Sequence, residues 1–178
     1  MALRKAAAYS KKHVTPYTRI SKRKGKAFIK TVPPQKIVKF SMGNEQGFRE
    51  KKMPFHITMS TTERIQIRHN ALEACRQYLN RKLDKELTGS SYFRVIPFPH
   101  HIQRENKMIT GAGADRMQTG MQLSFGKSAG KAAILNEGDG IFFVAVQNEK
   151  DSKQARIWLS QIRSKLPCKT KISLEIVK

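Results

Sequence analysis

The first 44 residues hold 12 of the chain's 35 lysines and arginines and neither an aspartate nor a glutamate. Like charges at this density repel one another, so the segment cannot collapse into a core without a counter-charged partner. We therefore expect residues 1–34 to form a basic N-terminal arm and residues 35–178 to form one folded domain. Pro33 and Pro34 mark the boundary, because proline fixes the backbone and removes a hydrogen-bond donor.

The charge of the whole chain indicates a polyanionic partner. Its formal net charge is +22 over 178 residues, and nucleic acid is the commonest polyanion that neutralises such a charge. A membrane surface is the alternative, but no apolar run approaches the roughly 18 residues that span a bilayer, and the N-terminus lacks the apolar core of a signal peptide. We expect a soluble, cytoplasmic, RNA-binding protein.

Aromatic and apolar side chains interleave the cations of the arm, as they do in segments that fold onto RNA. A flexible solubilising tail is the alternative. The candidate RNA-binding residues of the arm are Arg4, Lys5, Lys11, Lys12, Tyr17, Arg19, Lys22, Arg23, Lys24 and Lys26.

Beyond the arm, apolar patterning predicts an α+β domain in which two helices pack on a mixed or antiparallel sheet to form two layers. Ser60 to Glu63 matches a helix-capping motif, which predicts a helix from there to about Leu83. Asn148 is the predicted cap of a second helix over 149–165. The predicted strands are residues 36–41, 55–60, 92–98, 131–135, 141–147 and 171–177.

The start of the first predicted helix carries a second signal. Arg64, Arg68, His69 and Asn70 would lie on its polar side and form a basic rim above the apolar stripe. The alternative is a charged helix face that contacts only solvent. The net charge of the chain favours RNA binding instead, because the planar fork of arginine matches phosphate oxygens.

Residues 104–127 show neither helical nor strand period and are rich in glycine and methionine, and we expect a long loop over 102–128. Structureless segments longer than roughly 15 residues are uncommon in compact domains and are usually functional or disordered. A phosphate-binding loop is a poor match, because Met121 stands where the GxxxxGK[ST] motif needs glycine. The fragment at Gly111 fails in the same way, since Arg116 occupies the third glycine position of GxGxxG.

Catalytic and metal-binding patterns are equally weak. His100 and His101 are adjacent, so on an extended chain they point to opposite faces, which favours contact with solvent or RNA over a shared metal. Cys75 and Cys168 form no CxxC pair, and no serine lies in a GxSxG elbow. We expect no enzymatic activity, cofactor, metal or small-molecule substrate.

Several short motifs of the sequence resemble those of the universal large-subunit ribosomal protein family called L-sixteen in bacteria and L-ten-e in archaea and eukaryotes. The resemblance covers nearly the whole chain, and its wording looks more archaeal than eukaryotic. The matching words are YTR (17–19), KIVKFSMGN (36–44), QIRHNALEA (66–74), RENKM (104–108), GAGADR (111–116), GM (120–121) and FGK (125–127).

The resemblance implies an α/β-hammerhead type of fold on large-subunit rRNA, near the five-S rRNA, neighbouring ribosomal proteins and the A-site and P-site tRNAs. It implies that the loop 102–128 approaches the peptidyl-transferase centre, with Asp115 orienting a neighbouring arginine. Gln122, where relatives usually have arginine, and the basic stretch 21–28 depart from the pattern. The residues that match the loop motif and are expected to touch nucleic acid are Arg104, Asn106, Lys107, Arg116 and Lys127.

The expected function is therefore that of a structural constituent of the large ribosomal subunit. A free RNA-binding regulator or an assembly factor is the alternative. Presence in mature large subunits, as opposed to precursors, separates the two.

Overall fold

The computed structural model describes residues 29, 31–105 and 126–177. Within these residues, eight strands form two antiparallel sheets, one five-stranded and one three-stranded. The elements are β1 Ser41–Gly43, α1 Glu45–Arg49, β2 Phe55–Thr61, β3 Ile65–Arg68, α2 His69–Glu86, β4 Ser91–Val95, β5 His101–Glu105, β6 Lys127–Leu135, β7 Gly140–Val146, α3 Glu149–Gln161, a 3₁₀ turn Ile162–Lys165 and β8 Thr170–Ile176.

The larger sheet has the strand order β1-β4-β7-β2-β8, and the smaller has β3-β6-β5. Strand β7 lies at the centre of the larger sheet and is apolar on both faces, as a strand covered from both sides must be. Phe142, Val144 and Val146 belong to the main core, whereas Phe143 and Ala145 face the reverse side. The reverse side is covered near one end by Phe48 of α1.

Helices α2 and α3 contribute to the main core. In α3, Ala155, Trp158, Leu159 and the following Ile162 recur at helical spacing and are buried, and the helix packs on β2 and β7. Helix α2 packs on β3, β4 and β6. Burial of each large apolar side chain contributes roughly 1.5–3 kcal/mol, which makes these stripes the main tie between the layers. The predicted α+β class is confirmed.

The predicted helix start at Ser60 is wrong. Residues Ile65 to Arg68 form a strand that pairs with β6, and α2 begins only at His69. The carboxylate of Glu63, expected in a helix cap, instead accepts a hydrogen bond from the backbone N–H of Lys169 at 3.3 Å. Pairing with a strand more than 60 residues away outweighed the local capping motif, because alternating Ile65 and Ile67 bury one face of the small sheet.

Three further boundaries differ from the sequence predictions. The strand predicted over 36–41 occurs only from Ser41, where β1 begins, and the short helix α1 follows. The loop predicted over 102–128 is wrong at both ends, since 102–105 belong to β5 and 127–128 to β6. The strand predicted over 92–98 ends at Val95.

The remaining predicted elements are confirmed. Strands 55–60, 131–135, 141–147 and 171–177 lie within or overlap β2, β6, β7 and β8. The second helix begins after Asn148 as expected, although the Asn148 side chain donates to Asp151 at 3.0 Å and makes no capping hydrogen bond. None of the helices in the described part of the chain is both long and apolar enough to cross a membrane.

Candidate RNA-binding surface

Two predicted RNA-binding residues meet where β5 and β6 pair. Arg104 lies opposite Ser128, and Glu105 lies opposite Lys127, the first residue of β6. The register shifts between Gln103 and Arg104, which marks a bulge at this point. The pairing places Arg104 and Lys127, which precede and follow residues 106–125 in the chain, at neighbouring positions of the sheet.

A second group of cations surrounds the start of α2. Burial lowers the pKa of His69 from 6.5 to about 4, and the nearby charges of Arg68, Lys36 and Lys131 lower it further. His69 is only 3% exposed and is therefore neutral at physiological pH. Gly130 of β6 leaves room for this ring, because a Cβ there would lie 3.4 Å from His69 Nε2.

Lys36 and Lys131 were not among the predicted RNA-binding residues. Each stands beside an element that the sequence does mark, since Lys36 follows the proline boundary and Lys131 begins the apolar run of β6. Strand pairing brings Lys131 opposite Ile102, within two residues of Arg104. We group these two lysines with Arg68, which also lies near His69, and with Arg104 and Lys127 of the paired strands β5 and β6, as the basal cluster (Lys36, Arg68, Arg104, Lys127 and Lys131).

The predicted basic rim on one helix is wrong in its geometry. Arg64 is exposed in the turn before β3, and Arg68 ends β3 with only 9% of its surface exposed. Only His69 and the half-buried Asn70 belong to α2. The rim fails because it rested on a helix cap at Ser60, eight residues before the observed cap at Arg68.

A polar layer lies on the face of the small sheet opposite the core. Gln103 of β5 donates to Gln66 of β3 at 3.2 Å, and both side chains are buried. His101 is buried beside them, and burial together with the charge of Arg104 lowers its pKa. His100, its sequence neighbour, is exposed, so the two histidines do point to opposite faces as predicted. Among the described residues no group of three or more potential ligands could hold a metal ion.

The other predicted site residues lie outside the described residues, and for them the RNA-binding assignment stays a prediction. They are Arg4, Lys5, Lys11, Lys12, Tyr17, Arg19, Lys22, Arg23, Lys24, Lys26, Asn106, Lys107 and Arg116.

Comparison with known proteins identifies the family. The sequence pattern of the family described as Ribosomal protein L16p/L10e matches residues 13–173. The chain is 41% identical over 177 residues to large ribosomal subunit protein uL16 of Sulfolobus acidocaldarius, covering 98% of this chain and 94% of that protein. It is 43% identical over 158 residues to uL16 of Hyperthermus butylicus, covering 88% and 82%.

A third relative, uL16 of Thermoplasma acidophilum, is 38% identical over 174 residues and covers 97% of this chain and 92% of that protein. These relatives confirm both the resemblance and its archaeal character. On these matches, the chain belongs to the ribosomal protein L16p/L10e family.

Proposed function

We propose that this protein is a structural constituent of the large ribosomal subunit that binds large-subunit rRNA and performs no chemistry of its own. The observation that carries the proposal, beside the family, is the basal cluster. Three of its cations, Lys36, Arg68 and Lys131, lie around His69, and the other two, Arg104 and Lys127, lie on the paired strands β5 and β6. Phosphate oxygens are the partners that such cations bind best.

The basic arm, residues 1–34, is proposed to lie along rRNA near the five-S rRNA and neighbouring ribosomal proteins. The arm contains cations and no acid, so we expect RNA phosphates to order it by neutralising its charge. Segment 102–128 is proposed to help position the A-site and P-site tRNAs near the peptidyl-transferase centre. Glycines there permit close backbone approach, and Lys107 and Arg116 supply charges for phosphates.

The paired ends of the segment allow a sharp test of this division of labour. Glu105 and Lys127 are paired across the two strands. Replacing residues 106–126 with the dipeptide Asn-Gly would connect them by a two-residue turn, which favours an antiparallel hairpin. The shortened protein should fold and enter large subunits through its arm and basal cluster. Reconstituted subunits that carry it should be impaired in tRNA-dependent steps.

The measurement pairs co-sedimentation of the variant with washed large subunits and translation by those subunits. Normal translation would contradict the tRNA role, and absence of the wild-type protein from mature subunits would favour an assembly factor or a free regulator. Binding of the wild-type protein to large-subunit rRNA should weaken roughly a thousandfold or more between about 50 and 200 mM salt if 6 to 10 phosphates are neutralised. A nearly flat salt response would contradict rRNA binding through the cations.

A further inference from the structure

Buried and exposed side chains alternate without a break from Phe93 to His101. Strand β4 ends at Val95, yet the Ile96 backbone N–H still donates to the carbonyl of Ile141 in β7 at 3.0 Å, and the alternation continues as in an extended chain. The exposed positions form one row, here called the aromatic row, which consists of Arg94, Ile96, Phe98 and His100.

Two prolines hold the aromatic row in place. Pro97 and Pro99 flank Phe98, and each fixes its own backbone and lacks an N–H that could pair with another strand. The side chains of Pro97 and Pro99 are both buried, so they face the interior of the protein. Phe98 is thus presented outward from a stiff segment, and 47% of its surface is exposed.

The ring of Phe98 is braced by its neighbours. It stacks on Phe40 with ring centroids 5.2 Å apart and an interplanar angle of 24°, and it contacts His100 at 4.6 Å. Phe40 itself packs on the main core, and its carbonyl accepts a hydrogen bond from Val95 at 2.8 Å. A flat group that stacks on Phe98 would therefore meet a ring already ordered, at little cost in conformational entropy.

The charges around the row indicate what that group is. Residues 31–44 and 87–104, which supply the row and its brace, contain no acid, and their cations outside the basal cluster are Lys39 and Arg94. An exposed apolar group set among cations suits a nucleic acid, whose bases offer flat apolar faces and whose backbone is anionic.

We propose that Phe98, braced by Phe40 and His100, stacks on an unpaired base of RNA, while Lys39 and Arg94 bind the adjoining phosphates. The proposal rests on the proposed rRNA-binding function and adds base stacking to it. Lys39, Arg94 and Phe98 are not members of the basal cluster, so single substitutions at these three positions leave the basal cluster intact.

The test compares two probes of equal length and charge, a single-stranded oligoadenylate of about 12 nucleotides and the same ribose-phosphate chain without bases. In the full-length protein, Phe98→Ala should weaken binding of oligoadenylate by roughly five-fold to 150-fold and leave the abasic chain unchanged. Phe98→Trp should retain affinity because it keeps a flat ring. Arg94→Ala should weaken both probes to the same extent.

Fluorescence supplies a second measurement. Trp158 is the chain's one tryptophan and is buried. Its fluorescence in the wild-type protein is therefore the background with which the fluorescence of Phe98→Trp is compared. Oligoadenylate should quench the added fluorescence, and the abasic chain should not. Thermal unfolding of each variant confirms that it is folded, as expected for a half-exposed position.

Equal weakening of both probes by Phe98→Ala, or weakening of neither, would overturn the stacking site. Unchanged RNA affinity together with loss of a neighbouring ribosomal protein from the subunit would overturn it in favour of a protein contact. Binding of wild-type protein to large-subunit rRNA is measured alongside. If that binding fails, the proposed function fails, whereas intact rRNA binding without base dependence removes only the stacking site.

Discussion

Arg76 holds the carboxylate of Glu73 with two hydrogen bonds of 2.7 Å, from Nε to Oε2 and from Nη2 to Oε1. Gln77 donates a third, at 2.9 Å, and these bonds, led by that from Arg76, lower the pKa of Glu73 against the effect of burial. Arg76 also donates to the sulfur of Met42 at 3.1 Å. The pair thus fastens strand β1 to helix α2.

Removing one partner of this pair should cost far more than removing both. The side chains of Arg76 and Glu73 are only 12% and 11% exposed, so Arg76→Ala leaves a nearly buried carboxylate without its counter-ion. We expect a loss of about 3 kcal/mol in the free energy of unfolding. The double variant Glu73→Leu/Arg76→Leu should lose less than about 1 kcal/mol, since no charge is stranded. Urea unfolding measures both, and equal losses in the two variants would contradict the argument.

His69 should make the stability of the domain sensitive to acid. Its pKa is about 4 in the folded protein and 6.5 in the unfolded chain, so the unfolded chain takes up the proton first as pH falls. The stability that this difference contributes is complete above about pH 6.5 and is lost as pH falls toward 4, about 3 kcal/mol in all.

Urea unfolding of the wild-type protein between pH 7.5 and 4.5 measures this loss. His69→Gln should flatten the profile, although a residual slope is expected because the pKa of His101 is also lowered. The matched control is His100→Gln at an exposed position, which should leave the wild-type profile unchanged. A profile for His69→Gln as steep as that of the wild type would contradict the assignment.

Two positions on α3 separate buried from exposed apolar side chains. Leu159 is 0% exposed and Ile157 is 51% exposed. Leu159→Ala should cost roughly 2–5 kcal/mol through lost burial and the cavity left behind. Ile157→Ala should change stability by no more than about 0.5 kcal/mol. Thermal or urea unfolding of the two variants checks the contrast, and comparable losses would show that α3 packs through a different face.

Gly43 occupies a backbone conformation that a side chain would strain twice. Its φ is +87°, and a Cβ there would collide with the carbonyl oxygen of Ser91, which accepts a hydrogen bond from Asn44 at 2.9 Å. Gly43→Ala should therefore cost roughly 3 kcal/mol. Gly89 is the matched control, with φ of +75° and open space around the added carbon, so Gly89→Ala should cost only about 1–2 kcal/mol. Equal unfolding midpoints for the two variants would contradict the collision.

The local sequence pattern predicted those helices and strands whose buried side chains meet the same apolar core along their whole length. The apolar stripe of α3 and the apolar run of β7 could be recognised because neighbouring residues alone decide which face of a helix or strand is apolar. The start of α2 could not. The capping motif at Ser60 and the alternation of Ile65 and Ile67 compete locally, and only the distant strand β6 favours the second.

The amino-acid sequence by itself determined the α+β class and the family, because apolar periodicity and characteristic motifs are properties of short segments. Tertiary structure alone decided that Arg68 and His69 are buried, that Glu105 faces Lys127, and that Phe40 stacks on Phe98. Each of these relationships joins residues to partners brought near by strand pairing and packing, which no local pattern records.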